Sequence, residues 1–230
     1  MSRSTQTTQY FYFLHKVTHR MTLKQLVSQV KKLTESEVKN IITEKIEGFK
    51  KLRKKDITEI FKELCFCILA AGYSAEKSLH IQEKINDGFL KFSEKELAEE
   101  LRRLGHRYPE ARARYIVKAR DKINQLKNVL ETLEDSRHIR EWLVENIDGL
   151  GYKEASHFLR NIGYLDLAII DYHILNLLEK YNILTKPRTL TRNRYLQIEK
   201  ILEEVSKHLG LRLGELDLYL WYMETGKIIK

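Results

Sequence analysis

No stretch of this chain alternates apolar and polar side chains with the period of two that a half-buried β-strand requires. What recurs instead is the three-and-four spacing of amphipathic helices. It is interrupted by only two prolines and by glycines that fall at segment ends. An all-α fold is the expectation. Thr34 and Glu37 are spaced as a capping box at the head of TESEVKNIITEKIEGFKKL, and Ser93 and Glu96 repeat the pattern in SEKELAEELRRLG, which stops at Gly105. Asp56 opens DITEIFKELCFCILAAG and Gly72 closes it, glycine being well suited to left-handed backbone just past a helix. Pro109 suits the first turn of PEARARYIVKARDKI. SRHIREWLVEN, YKEASHFLRNIG, DYHILNLLEKY, TRNRYLQIEKILEEVSKHLG and GELDLYLWYMET complete the helical series.

Composition narrows the class further. With 230 residues, 43% of them hydrophobic, the chain can build one core or two small lobes sharing a cleft. Its formal charge of +9 favours an anionic partner such as nucleic acid. No apolar run approaches the ~20 residues that span a bilayer, so no membrane association is expected. YFYFL near the N-terminus is too short for a signal-peptide core and lacks a small-residue cleavage site, which favours a cytoplasmic location. Residues 1–20 contain no acidic residue and no helical period. They read as a dispensable extension, with an aromatic arm docked through Tyr10, Phe11 and Phe13 as the alternative. Cys65 and Cys67, at i and i+2 of a helix, point apart, which argues against a disulfide. They are too few for a four-thiolate iron–sulfur cluster and read as small core residues.

The segment with chemical content is SRHIREWLVEN-IDGLG-YKEASHFLRNIG, two helices joined by a tight glycine turn. In the second helix, Ala155, Phe158, Leu159 and Ile162 share the core face, and Lys153, Ser156 and Arg160 lie off it. Gly149 and Gly151 permit close approach of another backbone, and the amides at the helix start favour an anion. A duplex phosphate is a natural ligand, and such contacts carry no sequence information. Glycine is common in turns between helices, so the turn alone is weak. Asp171 strengthens it: 18 positions after Lys153, it begins the helix of DYHILNLLEKY. An N-cap carboxylate is a common structural device, and it is also a charge held in a fixed direction, as stabilisation of a cationic sugar requires. His173, in the first turn of that helix, reads either as partly buried packing or as part of the site.

GLGYK followed by DYH resembles the helix-hairpin-helix DNA glycosylase superfamily, which includes endonuclease III. FKELCFCILAAGYSAE, NDGFL, LGHRYPEARARYIVKAR, GLGYKEASHFLRNIGYLDLAIIDYHIL and LDLYLWYMETGKIIK narrow the likeness. Together they are similar to the archaeal-type 8-oxoguanine DNA glycosylase/lyases over residues 21–230. Asp148 stands where many hairpins of the superfamily carry Pro. The four-cysteine loop of endonuclease III-like enzymes is missing, and residues 1–60 cannot supply the β-domain of the eukaryotic 8-oxoguanine enzymes.

The resemblance implies two helical lobes flanking a DNA-binding cleft: residues 21–58 with 165–230 in one lobe, and residues 59–164, with the hairpin, in the other. It implies that Gly149 and Gly151 bring the hairpin onto the DNA backbone with His173 nearby, that Lys153 attacks the sugar, and that Asp171 assists. The partner is then double-stranded DNA containing a damaged base, with 8-oxoguanine the expected target. Attack by an amine needs its neutral form, which a free lysine of pKa about 10.4 rarely presents at pH 7. Desolvation and neighbouring cations correct this. The bond changes require no cofactor and no metal, and no obligate protein partner is expected. A base must leave the stack to be examined. Tyr73, in AAGYSAE, is a wedge candidate or a staple before the Ser74 cap. Trp221 stacks on the extruded base or packs in the core. The Lys230 ammonium and carboxylate pair with a purine edge, since the C-terminus closes the base pocket in the archaeal-type family. Ile228 and Ile229 anchor that tail. Arg107 and Arg112 are the expected phosphate contacts. The alternatives are the same fold acting on oxidised pyrimidines, and a non-enzymatic hairpin protein that binds DNA structure.

Overall fold

The computed structural model describes residues 23–230, and every regular element among them is helical. The proposed extension, with Tyr10, Phe11 and Phe13, lies outside the described residues. The helices are α1 (residues 23–34), α2 (Val38–Leu52), α3 (Ile57–Ala70), α4 (Ala75–Ile85), α5 (Gly88–Lys91), α6 (Glu94–Arg103) and α7 (Pro109–Arg120). They continue with α8 (Ile123–Thr132), α9 (Ser136–Asn146), α10 (Tyr152–Asn161), α11 (Tyr172–Lys180), α12 (Arg192–Leu209) and α13 (Leu213–Thr225).

Two apolar cores organise these elements. The first is built around α3, whose Phe61, Leu64, Phe66, Ile68 and Leu69 are fully buried, and it draws in residues from α4 to α10. The second joins Leu26, Val30, Ile42 and Ile46 of α1 and α2 to α11, α12 and α13. Two lobes result: the first core gathers one continuous stretch, residues 60–167, and the second joins residues 23–49 to residues 165–220. Cys65 and Cys67 are both free thiols inside the first core, where burial pushes their pKa values well up and keeps them inert.

Capping chemistry explains several boundaries. Ser93 and Glu96 form a reciprocal capping box at α6, and Pro109 occupies the first turn of α7. Thr34 departs from expectation. Its hydroxyl donates to the Lys31 carbonyl at 2.7 Å, so it belongs to the end of α1, while Glu37 stands at the N-cap of α2 without a side-chain cap. The intervening turn at residues 35–37 separates the two helices. PEARARYIVKARDKI is also divided, ending as α7 at Arg120 before α8 begins at Ile123.

Helix α10 lies between the lobes, and this corrects the one-sided reading of its sequence. Ala155, Phe158, Leu159 and Ile162 are fully buried, as their spacing predicts, but so are Ser156 and Arg160. The second lobe covers the polar side of α10 with matched partners. Arg160 pairs with Asp217 of α13, and its Nε donates to Asn161 Oδ1 at 3.1 Å. Ser156 Oγ accepts from Arg140, which itself grips Glu199 of α12 through two hydrogen bonds of 2.7 and 2.9 Å. Burying such charges is costly unless they are paired and hydrogen-bonded. The pairs therefore fix how the lobes meet, and they hold α10 at the junction where a cleft opens.

Candidate active site

The turn from α9 to α10 is held from beneath. Ile147 and Leu150 are buried, and Leu150 N donates to Ile147 O at 3.3 Å. Gly149 has φ +85°, and a Cβ there would lie 2.5 Å from the Tyr115 ring, so both conformation and space demand glycine. Gly151 is the N-cap of α10 and offers no side-chain cap, leaving the first amides of that helix free of one. Asp148, in the position of the missing proline, is engaged sideways by Lys118 at 2.9 Å. Lys122 donates to the Asn146 carbonyl at 2.6 Å on the same flank.

A cleft of about 980 Å³ opens beside this turn. Lys153 and Asp171 both line it. Lys153 projects from the first turn of α10 with 24% of its side chain exposed, and its ammonium lies 3.7 Å from Glu154. Asp171 caps α11 by accepting from Ile174 N at 3.0 Å. The segment feeding it, residues 164–170, is almost wholly buried, which gives the carboxylate a rigid base.

The cleft also contains Arg107, Tyr73, His173, Trp221 and Lys230. His173 meets the Trp221 ring edge-on, with centroids 4.7 Å apart. Trp221 Nε1 is buried without a hydrogen-bond partner. Lys230 turns inward: its ammonium donates to Glu63 Oε2 at 2.7 Å and Gln82 Oε1 at 2.8 Å. Lys227 pairs with Glu76 at 2.8 Å, and Ile228 packs on the second core. Tyr73 is fixed in the wall, its hydroxyl donating to the Gly105 carbonyl at 2.8 Å and its ring against His106. Arg112 differs from its expected role. It lies outside the cleft lining and is half-buried, with its guanidinium donating to the Ala71 carbonyl, so it braces the α3–α4 loop instead of standing free for a phosphate. Arg107 remains at the cleft, over the ring of the exposed Tyr108.

Three cleft residues escaped the sequence reading. Asp217 sits in an apolar run of α13, and a charge in such a run was the available signal. Its pKa is pushed up to about 6 by burial, with Asp171 adding to the rise and Arg160 and Lys153 opposing it. Arg160, which its spacing puts off the core face of α10, is buried and lines the cleft. His157 lies one turn beyond Lys153 on α10 and is buried, yet it lines the cleft. Among the described residues, no group of three or more His, Cys, Asp or Glu side chains is arranged to hold a metal ion, and no helix is long and apolar enough to cross a membrane.

Residues 42–211 match the family described as 8-oxoguanine DNA glycosylase. An 8-oxoguanine DNA glycosylase/AP lyase of Korarchaeum cryptofilum is 54% identical over 211 residues, covering 91% of this chain and 100% of the relative. One from Methanocaldococcus jannaschii is 50% identical over 206 residues, covering 89% of this chain and 99% of the relative. The crystal structure of the M. jannaschii glycosylase/lyase in complex with a 15mer DNA containing 8-oxoguanine is similar with a TM-score of 0.87 and 49% identity, covering 90% of this chain and 100% of that one. The 8-oxoguanine DNA glycosylase of Thermotoga maritima is similar with a TM-score of 0.85 and 41% identity, covering 90% of this chain and 100% of that one.

Proposed function

Because the chain belongs to the 8-oxoguanine DNA glycosylase family, we propose that it removes 8-oxoguanine from double-stranded DNA and then cleaves the strand, with Lys153 as nucleophile. The observation that carries this reading is that Lys153 and Asp171 line one cleft at the junction of two helical lobes. The chain's net charge of +9 suits a DNA partner.

The chemistry follows from these two side chains. Neutral Lys153 Nζ forms a bond to the sugar C1′ as the C1′–N9 bond breaks, and the base departs with that electron pair and is protonated. Asp171, held by its backbone hydrogen bond, stabilises the positive charge developing on the sugar. It also relays the proton lost by the attacking amine. Ring opening gives a Schiff base between Lys153 and C1′. Loss of a C2′ proton then expels the 3′-phosphate by β-elimination, and hydrolysis frees the lysine.

The remaining residues bind and position. The α10 amides beyond Gly149 and Gly151 receive a backbone phosphate, and Arg107 neutralises another at the cleft mouth. Trp221, oriented by the edge of His173, stacks on the extruded base, and Lys230 closes that end of the cleft. Tyr73 supplies a fixed wall beside it, and Arg112 supports the loop that bears it.

Borohydride reduction in the presence of a duplex with one 8-oxoguanine should trap a covalent adduct with the wild-type protein and none with Lys153→Gln. Trapping of Lys153→Gln at the wild-type level would remove the assignment. A parallel panel of duplexes bearing oxidised pyrimidines tests the substrate: faster excision of those bases than of 8-oxoguanine would replace it.

A further inference from the structure

The cleft contains a buried titratable side chain that the proposed chemistry does not use. His157 is 7% exposed, and its two buried ring nitrogens have no well-formed hydrogen bond, only the approach of the Lys230 backbone. Buried polar atoms in native proteins nearly always have partners, so an imidazole with two orphaned nitrogens in a cleft wall points to a ligand that completes it. Among the described residues, the only other orphaned side-chain atom in that wall is Trp221 Nε1.

Its surroundings indicate what the ligand is. His157 stands at i+4 from Lys153 on α10, so the two side chains share one face of the helix. It meets the Phe66 ring edge-on, with centroids 5.6 Å apart, and the Lys230 ammonium lies 4.3 Å from the centroid of that same ring. His157 and Lys230, both in the cleft wall, are therefore grouped over the buried Phe66 ring, with His157 one helical turn from Lys153. Whatever binds there is covalently close to the sugar that Lys153 attacks, and in a glycosylase that is the extruded base.

We propose that His157 is a base-contacting residue whose imidazole hydrogen-bonds the polar edge of the extruded oxidised purine. This rests on the reading of the cleft as a glycosylase site. The imidazole is neutral there, since burial and the cations Arg160, Lys153 and Lys230 depress its pKa well below the usual histidine value. The Lys230 backbone opposes that shift only in part. A neutral imidazole presents one donor and one acceptor. An oxidised purine offers that complement as an N–H beside a carbonyl, whereas an abasic sugar offers nothing. His157 thus acts in base removal and not in strand cleavage.

Two variants separate this from a packing role. His157→Phe keeps an aromatic ring against Phe66 and removes both nitrogens, whereas His157→Gln keeps a donor and an acceptor. Single-turnover excision of 8-oxoguanine should fall by roughly 30-fold in His157→Phe and recover to within about threefold of wild type in His157→Gln. Cleavage and borohydride trapping at a pre-formed abasic site should stay near wild type in both. Wild-type excision by His157→Phe, or equal losses on the two substrates, overturns the proposal. The wild-type protein supplies a second measurement that no folding defect can obscure. The ¹⁵N resonances of the His157 ring should shift on adding a duplex with a non-cleavable 8-oxoguanine nucleotide and stay unmoved with a tetrahydrofuran abasic analogue. Identical shifts with both duplexes mean that no base is touched. If the wild-type protein neither excises 8-oxoguanine nor traps at an abasic site, it is the glycosylase reading that fails, which is distinct from failure of the histidine.

Discussion

The Lys230 ammonium donates to the Glu63 carboxylate at 2.7 Å, tying the last residue to α3 across 167 positions of chain. Glu63 is almost fully buried and also accepts from Asn161 Nδ2 at 2.6 Å. Asn161 in turn accepts from Arg160, which pairs with Asp217 in the cleft. The tail is therefore joined to the site through a continuous polar chain. Lys230→Met leaves Glu63 without its cation and should lower stability by ~2 kcal/mol, or roughly 4–8 °C in Tm. Excision of 8-oxoguanine should fall more than cleavage of a pre-formed abasic site. Equal losses on the two substrates, with Tm unchanged, would return Lys230 to the surface.

Asp171 holds a cap and, in the proposed chemistry, a charge, and Asp171→Asn separates the two. Asparagine caps helices about as well as aspartate, so the stability loss should stay below about 1 kcal/mol. Excision should slow by 10²–10³-fold, the scale of losing one transition-state electrostatic contact. A large drop in Tm with near-normal excision would show a cap and nothing more.

Gly149 and Gly151 should respond differently to alanine. At Gly149 the added Cβ meets the Tyr115 ring at 2.5 Å on a backbone of φ +85°, so Gly149→Ala should cost ~2 kcal/mol or more in stability. At Gly151 the nearest atom is Glu154 Oε2 at 3.4 Å and φ is −97°, so the fold should accept alanine. Gly151→Ala should instead weaken duplex binding, because a methyl then stands where, in the proposed binding mode, a phosphate approaches the α10 amides. Comparing Tm with filter-binding affinity for both variants tests the division. A Gly151→Ala protein with lower Tm and unchanged affinity contradicts it.

The legible parts of this molecule were those written locally. The helices of α9 to α13, the glycine turn and the spacing of Lys153 and Asp171 are all short-range patterns, and the structure brings both side chains to one cleft. Arg160 shows the limit. Helical periodicity puts it off the core face of α10, and only α13, 57 positions later, supplies the aspartate that allows it to be buried. Arg112 fails for the same reason, since its acceptor is the Ala71 carbonyl, 41 positions away. Thr34 was misassigned because a box spacing does not say which of two adjoining helices the threonine belongs to. His157 carried a faint local signal, its i+4 offset from Lys153, but its burial in the cleft wall is visible only in three dimensions.

The last prediction uses that buried histidine as a thermodynamic reporter in the absence of DNA. An unfolded histidine titrates near pH 6.5. Burial and the neighbouring cations hold the folded His157 well below that value, so below about pH 6.5 the unfolded chain takes up a proton that the native protein refuses. The stability contributed by neutral His157 is thus fully present above that pH and is lost as pH falls, by at most ~1.4 kcal/mol per pH unit until the folded group itself titrates. Asp217 runs the other way. Its folded pKa is raised to about 6, so its contribution is present below the normal carboxylate pKa and lost as pH rises through 6, partly masking the histidine in wild-type data. His157→Gln removes one titration and leaves the other, so the Asp217 effect cancels in the difference between the two proteins. The Tm of His157→Gln relative to wild type should therefore rise as pH is lowered from 7.5 to 5, by roughly 2–4 °C for each kcal/mol recovered. A difference that stays flat across this range would mean that the folded protein takes up the proton on His157 as readily as the unfolded chain does, and that the ring is not the dry, neutral group that a base contact requires.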